Sequence, residues 1–175
     1  MERHDLARAI WNVAHVTGNF KLRSGVTSST YFDKYQFEAE PRLLAALAQH
    51  LAALVPSQTE VLAGLELGGV PIVTALARET GLPAAFVRKE AKCYGTCRLS
   101  EGSSVVGRRV LLVEDVVTSG GQVAESATQL RALGADVFAA ICVIDREAGG
   151  AHALAEINLP LLALFTRSDL DATAA

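Results

Sequence analysis

VLLVEDVVTSGGQVAES, residues 110–126, decides how the fold is read. Val110–Val113 is an apolar run of strand length, and it ends on two adjacent acids, Glu114 and Asp115. Val116 and Val117 lead into Thr118-Ser119-Gly120-Gly121, and helical periodicity then runs from Gly121 to Leu133. Strand, glycine turn and helix in that order expose the unpaired N–H groups of a helix start, which attract an anion. Gly120 and Gly121 let backbone approach a bound oxygen closely, and the hydroxyls of Thr118 and Ser119 add donors. Ionised carboxylates only accept hydrogen bonds, so Glu114 and Asp115 cannot bind that same anion. They suit neighbouring hydroxyls, such as the 2′ and 3′ groups of a ribose, or an associated Mg²⁺. Together the two halves describe a site for a ribose 5-phosphate. A merely capped helix with solvated acids explains the turn, but explains less well why two acids close an apolar strand.

The same rhythm extends in both directions. Val61–Leu65, Ala84–Val87, Val137–Ile144 and Leu161–Phe165 read as short apolar strands, and Val70–Glu79 reads as a helix between the first two. Strands that are apolar throughout and alternate with helices imply an α/β fold with a mainly parallel sheet covered on both faces. Ligands in such sheets sit beyond the carboxyl ends of the strands. Upstream, residues 3–16 have helical spacing, and Pro41 opens a second helix, PRLLAALAQHLAALV. Between them, Phe20–Leu22 and Thr30–Asp33 are β-like runs that predict a small hairpin, so residues 1–40 form a hood on a single domain spanning 1–175. Arg88–Arg108 has no clear periodicity, as expected of a functional loop.

The chain has 175 residues, 50% hydrophobic and 20% charged, with a net charge of −3. That balance suits a folded domain and argues against a general binder of nucleic acid or anionic membranes. The N-terminus lacks a signal-peptide core, and no apolar run approaches the ~18 residues of a membrane span. Three cysteines, Cys93, Cys97 and Cys142, do not make a disulfide framework, which fits a reducing cytoplasm. The P-loop pattern is absent, and Gly64, Gly68 and Gly69 lack dinucleotide-binding spacing.

VLLVEDVVTSGGQV resembles the phosphoribosyl-pyrophosphate (PRPP) signature of type I phosphoribosyltransferases. Three more stretches resemble the orotate phosphoribosyltransferases in particular: FKLRSGVTSSTYFD (20–33), their hood; VRKEAKCYGT (87–96), their catalytic loop; and VIDREAGG (143–150), the strand end that supplies an arginine to the orotate carboxylate. The resemblance implies transfer of ribose 5-phosphate from PRPP to orotate, giving orotidine 5′-monophosphate and pyrophosphate. It implies Mg²⁺ carried by PRPP, with water bridging it to Glu114 and Asp115. It also implies a homodimer in which the loop 88–104 reaches the partner's site.

By the same resemblance, Arg88, Lys92 and Asp115 are the expected catalytic residues. Arg88, Lys89, Lys92 and Tyr94 would meet the pyrophosphate, together with Gly68 and Gly69 in GLELGGVP (64–71). Glu114 and Asp115 would read the ribose, while Val116, Val117, Thr118, Ser119, Gly120 and Gly121 cradle its phosphate. Arg23, Thr118 and Arg146 would serve orotate; Tyr31 and Phe32 either stack on its ring or pack the hood. The chain departs from the family in two places. Tyr94 stands where histidine is common, and Gly68 stands where some relatives have lysine. Two rivals remain at this stage: transfer to another nucleobase, and a paralogue that senses PRPP or nucleotides without catalysis.

Overall fold

A computed structural model describes residues 1–21, 27–90 and 98–173. Its centre is a six-stranded sheet: β3 (Val61–Leu65), β4 (Ala84–Val87), β5 (Ser100–Gly102), β6 (Arg109–Val117), β7 (Asp136–Asp145) and β8 (Leu161–Thr166), in spatial order β5-β4-β3-β6-β7-β8. All neighbours are parallel except the edge pair β4–β5. From β3 the chain builds outward to β4 on one side, then returns to place β6 on the other. The β3–β6 boundary is therefore the switch point of the sheet, where the connections leave in opposite directions and open a crevice at the strand ends.

Each face of the sheet is buried. Leu62, Leu111, Val113 and Ile141 face α1 (Arg3–Ala14), α3 (Pro41–Ala52) and α4 (Gly69–Thr80). Val61, Ala63, Leu112 and Ala140 face α5 (Gly121–Ala132) and α6 (Gly150–Glu156). This double cover is why the strands read as unbroken apolar runs. The hood is the antiparallel hairpin of β1 (His15–Lys21) and β2 (Thr27–Phe32), followed by the single-turn α2 (Tyr35–Glu38). Arg3 on α1 ties it to the far end of the chain, donating to Leu164 O at 2.8 Å and to Asp169 at 2.9 Å on α7 (Arg167–Asp171).

Three boundaries differ from the sequence expectation. The first helix stops at Ala14, because His15 already pairs with Phe32 in the hairpin. The second ends at Ala52 rather than Val55. The central strand does not end at Val113: its ladder with β7 continues through Glu114↔Cys142 to Val117↔Asp145, so both acids lie within the sheet. The segment 88–108 also contains β5, which adds an antiparallel edge.

Leu111 is fully buried between the central strands and the α1/α3 layer. Leu111→Ala should cost about 2–5 kcal/mol in lost contacts and residual cavity. Urea denaturation should show a lower midpoint at unchanged slope.

Candidate functional site

The crevice at the switch point is walled by the turn after β3 and by the end of β6. Asp115 has no exposed surface and Glu114 is 9% exposed. The Asp115 Oδ1 accepts the N–H of Val116, and Oδ2 is met by the ammonium of Lys34, which comes from the start of α2. Gly68, at the start of α4, lies directly against this carboxylate: a Cβ there would overlap Asp115 and stand 3.1 Å from Glu38 Oε1. Gly69 is needed for a different reason, since a Cβ on it would run into the carbonyl of Val113. The glycine pair read as a ligand loop thus also allows the turn to pack on β6.

Glu38 closes the cluster. It is 5% exposed, and neither of its oxygens has a hydrogen-bond donor among the described residues. Asp115 lies within hydrogen-bonding reach, so the contact is satisfied when Glu38 carries a proton. Burial, then the hydrogen bond and charge of Asp115, push the Glu38 carboxyl up to about 9. Burial and the Asp115 charge do the same to Glu114, also to about 9. For Asp115, burial alone would raise the pKa, but hydrogen bonds with Glu38, Glu114 and Lys34 and the Lys34 charge bring it below the usual carboxylate range. Lys34 is disfavoured by burial, yet its hydrogen bond with Asp115 and that charge raise it. The shifts thus favour the charged forms of Lys34 and Asp115 and the protonated forms of Glu38 and Glu114.

Beyond the acids the chain turns through Thr118 and Ser119, both exposed, to Gly120 in the left-handed region at φ 78°. Left-handed backbone favours glycine there, and a Cβ would also press on Gly150 O and Leu154, each at 3.1 Å. No side chain caps α5 at this end; Ser119 does not act as a cap. The helix start therefore keeps N–H groups available to an anion. Val117 O accepts from Arg146 N at 2.9 Å, which brings the end of β7 beside this turn. Phe32, Val116, Ile144, Arg146, Arg167 and Leu170 line one small cleft there. Arg167 pairs with Asp171, whereas the guanidinium of exposed Arg146 has no ion-pair partner among the described residues. Phe32 faces inward near Phe37; Tyr31 packs instead on Phe20, with ring centroids 5.5 Å apart.

On the other wall, Arg88 lines a cleft with Glu66, Leu67 and Val70. Its Nε is buried without a partner among the described residues, and Lys89 N donates to Glu66 at 3.0 Å. The base of the basic loop thus adjoins the β3–α4 turn. Arg23, Lys92, Tyr94, Cys93 and Cys97 lie outside the described residues. Lys34 and Glu38 escaped sequence reading: their four-residue spacing was the signal, but DKYQFE is too short to show a helical period. Among the described residues, no group of three or more His, Cys, Asp or Glu is placed to hold a metal, and no helix is long and apolar enough to cross a membrane.

The raised carboxyls predict how stability responds to pH. Between the ordinary carboxyl range and about 9, the folded chain holds protons on Glu38 and Glu114 that the unfolded chain has lost, so stability falls as pH rises. The lowered Asp115 loses its contribution only in acid, and the raised Lys34 only in base. The melting temperature of ligand-free protein should fall from about pH 5.5 to about pH 8.5, and Glu38→Gln should flatten that slope. A scanning calorimetry series over this range measures both.

Residues 35–157 match the phosphoribosyl transferase domain family. The orotate phosphoribosyltransferase of a Nocardioides species (strain JS614) is 51% identical over 167 residues, covering 95% of this chain and 93% of that protein. The orotate phosphoribosyltransferase of Halobacterium salinarum is 44% identical, with 87% of each chain covered. Among solved structures, the Mycobacterium tuberculosis orotate phosphoribosyltransferase in complex with PRPP superposes with a TM-score of 0.84 at 29% identity, covering 97% of this chain and 98% of that one.

Proposed function

The chain belongs to the phosphoribosyl transferase family, among its orotate phosphoribosyltransferases, and on that premise we propose that it transfers ribose 5-phosphate from PRPP to orotate, releasing pyrophosphate. One observation carries the residue assignment: β6 leads from two buried acids through the turn Thr118–Gly120 to an uncapped helix start. Two acids followed by a donor cradle match the hydroxyl edge and the phosphate edge of a ribose phosphate. Glu114 and Asp115 take the ribose hydroxyls, and Val116–Gly121 take the 5′-phosphate. Arg146, with no ion-pair partner among the described residues and lining the cleft that Phe32 also lines, takes the orotate carboxylate with Thr118 beside it. Arg23 joins them from the hood; Tyr31, turned onto Phe20, serves packing.

The bond to pyrophosphate breaks as a ring nitrogen of orotate closes on C1 of the ribose. Negative charge then builds on the leaving group and positive charge on the sugar, so the protein's task is orientation, charge stabilisation and exclusion of water. Arg88, Lys89, Lys92 and Tyr94 meet the leaving oxygens, with the backbone of Gly68 and Gly69 opposite. The buried Oε2 of Glu114, without a hydrogen-bond partner among the described residues, would face a water of a Mg²⁺ carried by PRPP, an ion that would offset part of the leaving group's charge. A homodimer whose loops 88–104 reach across to the partner's site is part of the proposal. The proposed setting is a reducing cytoplasm, consistent with the free thiol of Cys142.

With PRPP and Mg²⁺ supplied, pyrophosphate release should depend on orotate and not on uracil, adenine, guanine or xanthine. Release with a purine alone would overturn the substrate, and release with none would favour a sensor. In the same assay Lys92→Ala should lower turnover by about two orders of magnitude or more at an unchanged melting temperature. Near-normal turnover would remove this lysine from catalysis.

A further inference from the structure

The acidic end of β6 receives side chains that belong to none of the motifs. Lys34, the helical N-cap residue of α2, and Glu38 at its end stand four apart, so both project to the same side. Lys34 reaches Asp115 Oδ2 while keeping its own side chain 31% exposed, with its ammonium 5.4 Å from the centre of the Tyr35 ring. Glu38 and Gly68 pack against the same carboxylate. Both Asp115 oxygens are thereby assigned: Oδ1 to the N–H of Val116 and Oδ2 to Lys34. This fixes the side chain in one orientation.

A ribose hydroxyl needs an acceptor at this place. A carboxyl buried among other carboxyls would ordinarily take up a proton and turn one oxygen into a donor. A lysine on Oδ2 prevents that, and it is the only cation paired with Asp115 among the described residues. The one ionised acid of the cluster is therefore held by an ammonium supplied by the hood.

We propose that Lys34 is a positioning residue for PRPP: through its contact with Asp115 it holds that carboxylate in place as an acceptor for the ribose hydroxyls. The inference rests on the reading of Asp115 as a ribose ligand. Its effect is selective, since the orotate cleft of Phe32 and Arg146 does not include Lys34. Removal of the ammonium should weaken PRPP and spare orotate. An arginine at the same place should restore the contact, because it keeps the charge and the donor.

The test is steady-state kinetics on wild type, Lys34→Met, Lys34→Arg and Asp115→Asn, with melting temperatures alongside. Lys34→Met should raise the KM for PRPP about tenfold or more and move the KM for orotate less than about threefold, with Lys34→Arg recovering most of the loss. Asp115→Asn separates the two layers of the argument. If Asp115→Asn leaves the KM for PRPP unchanged, the ribose reading fails, and this inference with it. If Asp115→Asn raises it but Lys34→Met stays within about twofold of wild type, only the role of Lys34 is overturned. Parallel rises in both KM values with a fall in melting temperature would make Lys34 a structural tie and also overturn it. Should Lys34→Met not fold, Lys34→Gln compared with Lys34→Arg at equal folded fraction decides in the same way.

Discussion

An ionised carboxylate with no exposed surface sits near the end of the central strand, and the construction of the site follows from holding it there. Burial of an unpaired charge costs several kcal/mol, so Asp115 requires a cation and a backbone donor close by. The cation comes from α2, which can reach β6 only because the hairpin and α1 bring the hood over the sheet. The turn after β3 must also come close, which the missing side chain of Gly68 permits. Hood, turn and strand are separate in sequence, and this one carboxylate joins them.

The sheet topology supplies the rest. At the β3–β6 boundary the connections diverge, α4 to one face and α5 to the other, so two helix starts open on one crevice. Neither carries a side-chain cap. Two uncapped helix starts flanking buried acids suit a ligand with anionic groups at both ends and hydroxyls between them. PRPP has that distribution of charge: a phosphate at one end of its sugar and a pyrophosphate at the other.

Much of this was legible in the sequence because local chemistry and global fold agree there. The strands β3, β4 and β8 and the helices α4 and α5 fall close to their expected bounds, since apolar runs and glycine turns leave few alternatives. Misreadings arose where tertiary contacts decide. Glu114 and Asp115 look like the end of a strand because polarity normally closes one, yet the ladder with β7 carries them inside. The short α2, α6 and α7 offer too few residues for a period, although Thr166 and Asp169 do form a capping box that announces α7. Lys34 and Glu38 lay hidden for a related reason: their partner is some eighty positions away in the chain, and nothing beside them in sequence marks a charge as bound for the interior.

Arg3 finds its acceptors on Leu164 and Asp169, across sequence separations of 161 and 166 residues. Such closures are entropically expensive and form late. Until β8 exists, α1 has no strand end to dock on, and its buried Leu6 and Ile10 have only part of their cover. The cleft that holds Phe32 and Arg146 is likewise finished by Arg167 and Leu170. A chain emerging from the ribosome would thus present its central strands well before the residues that complete this cleft.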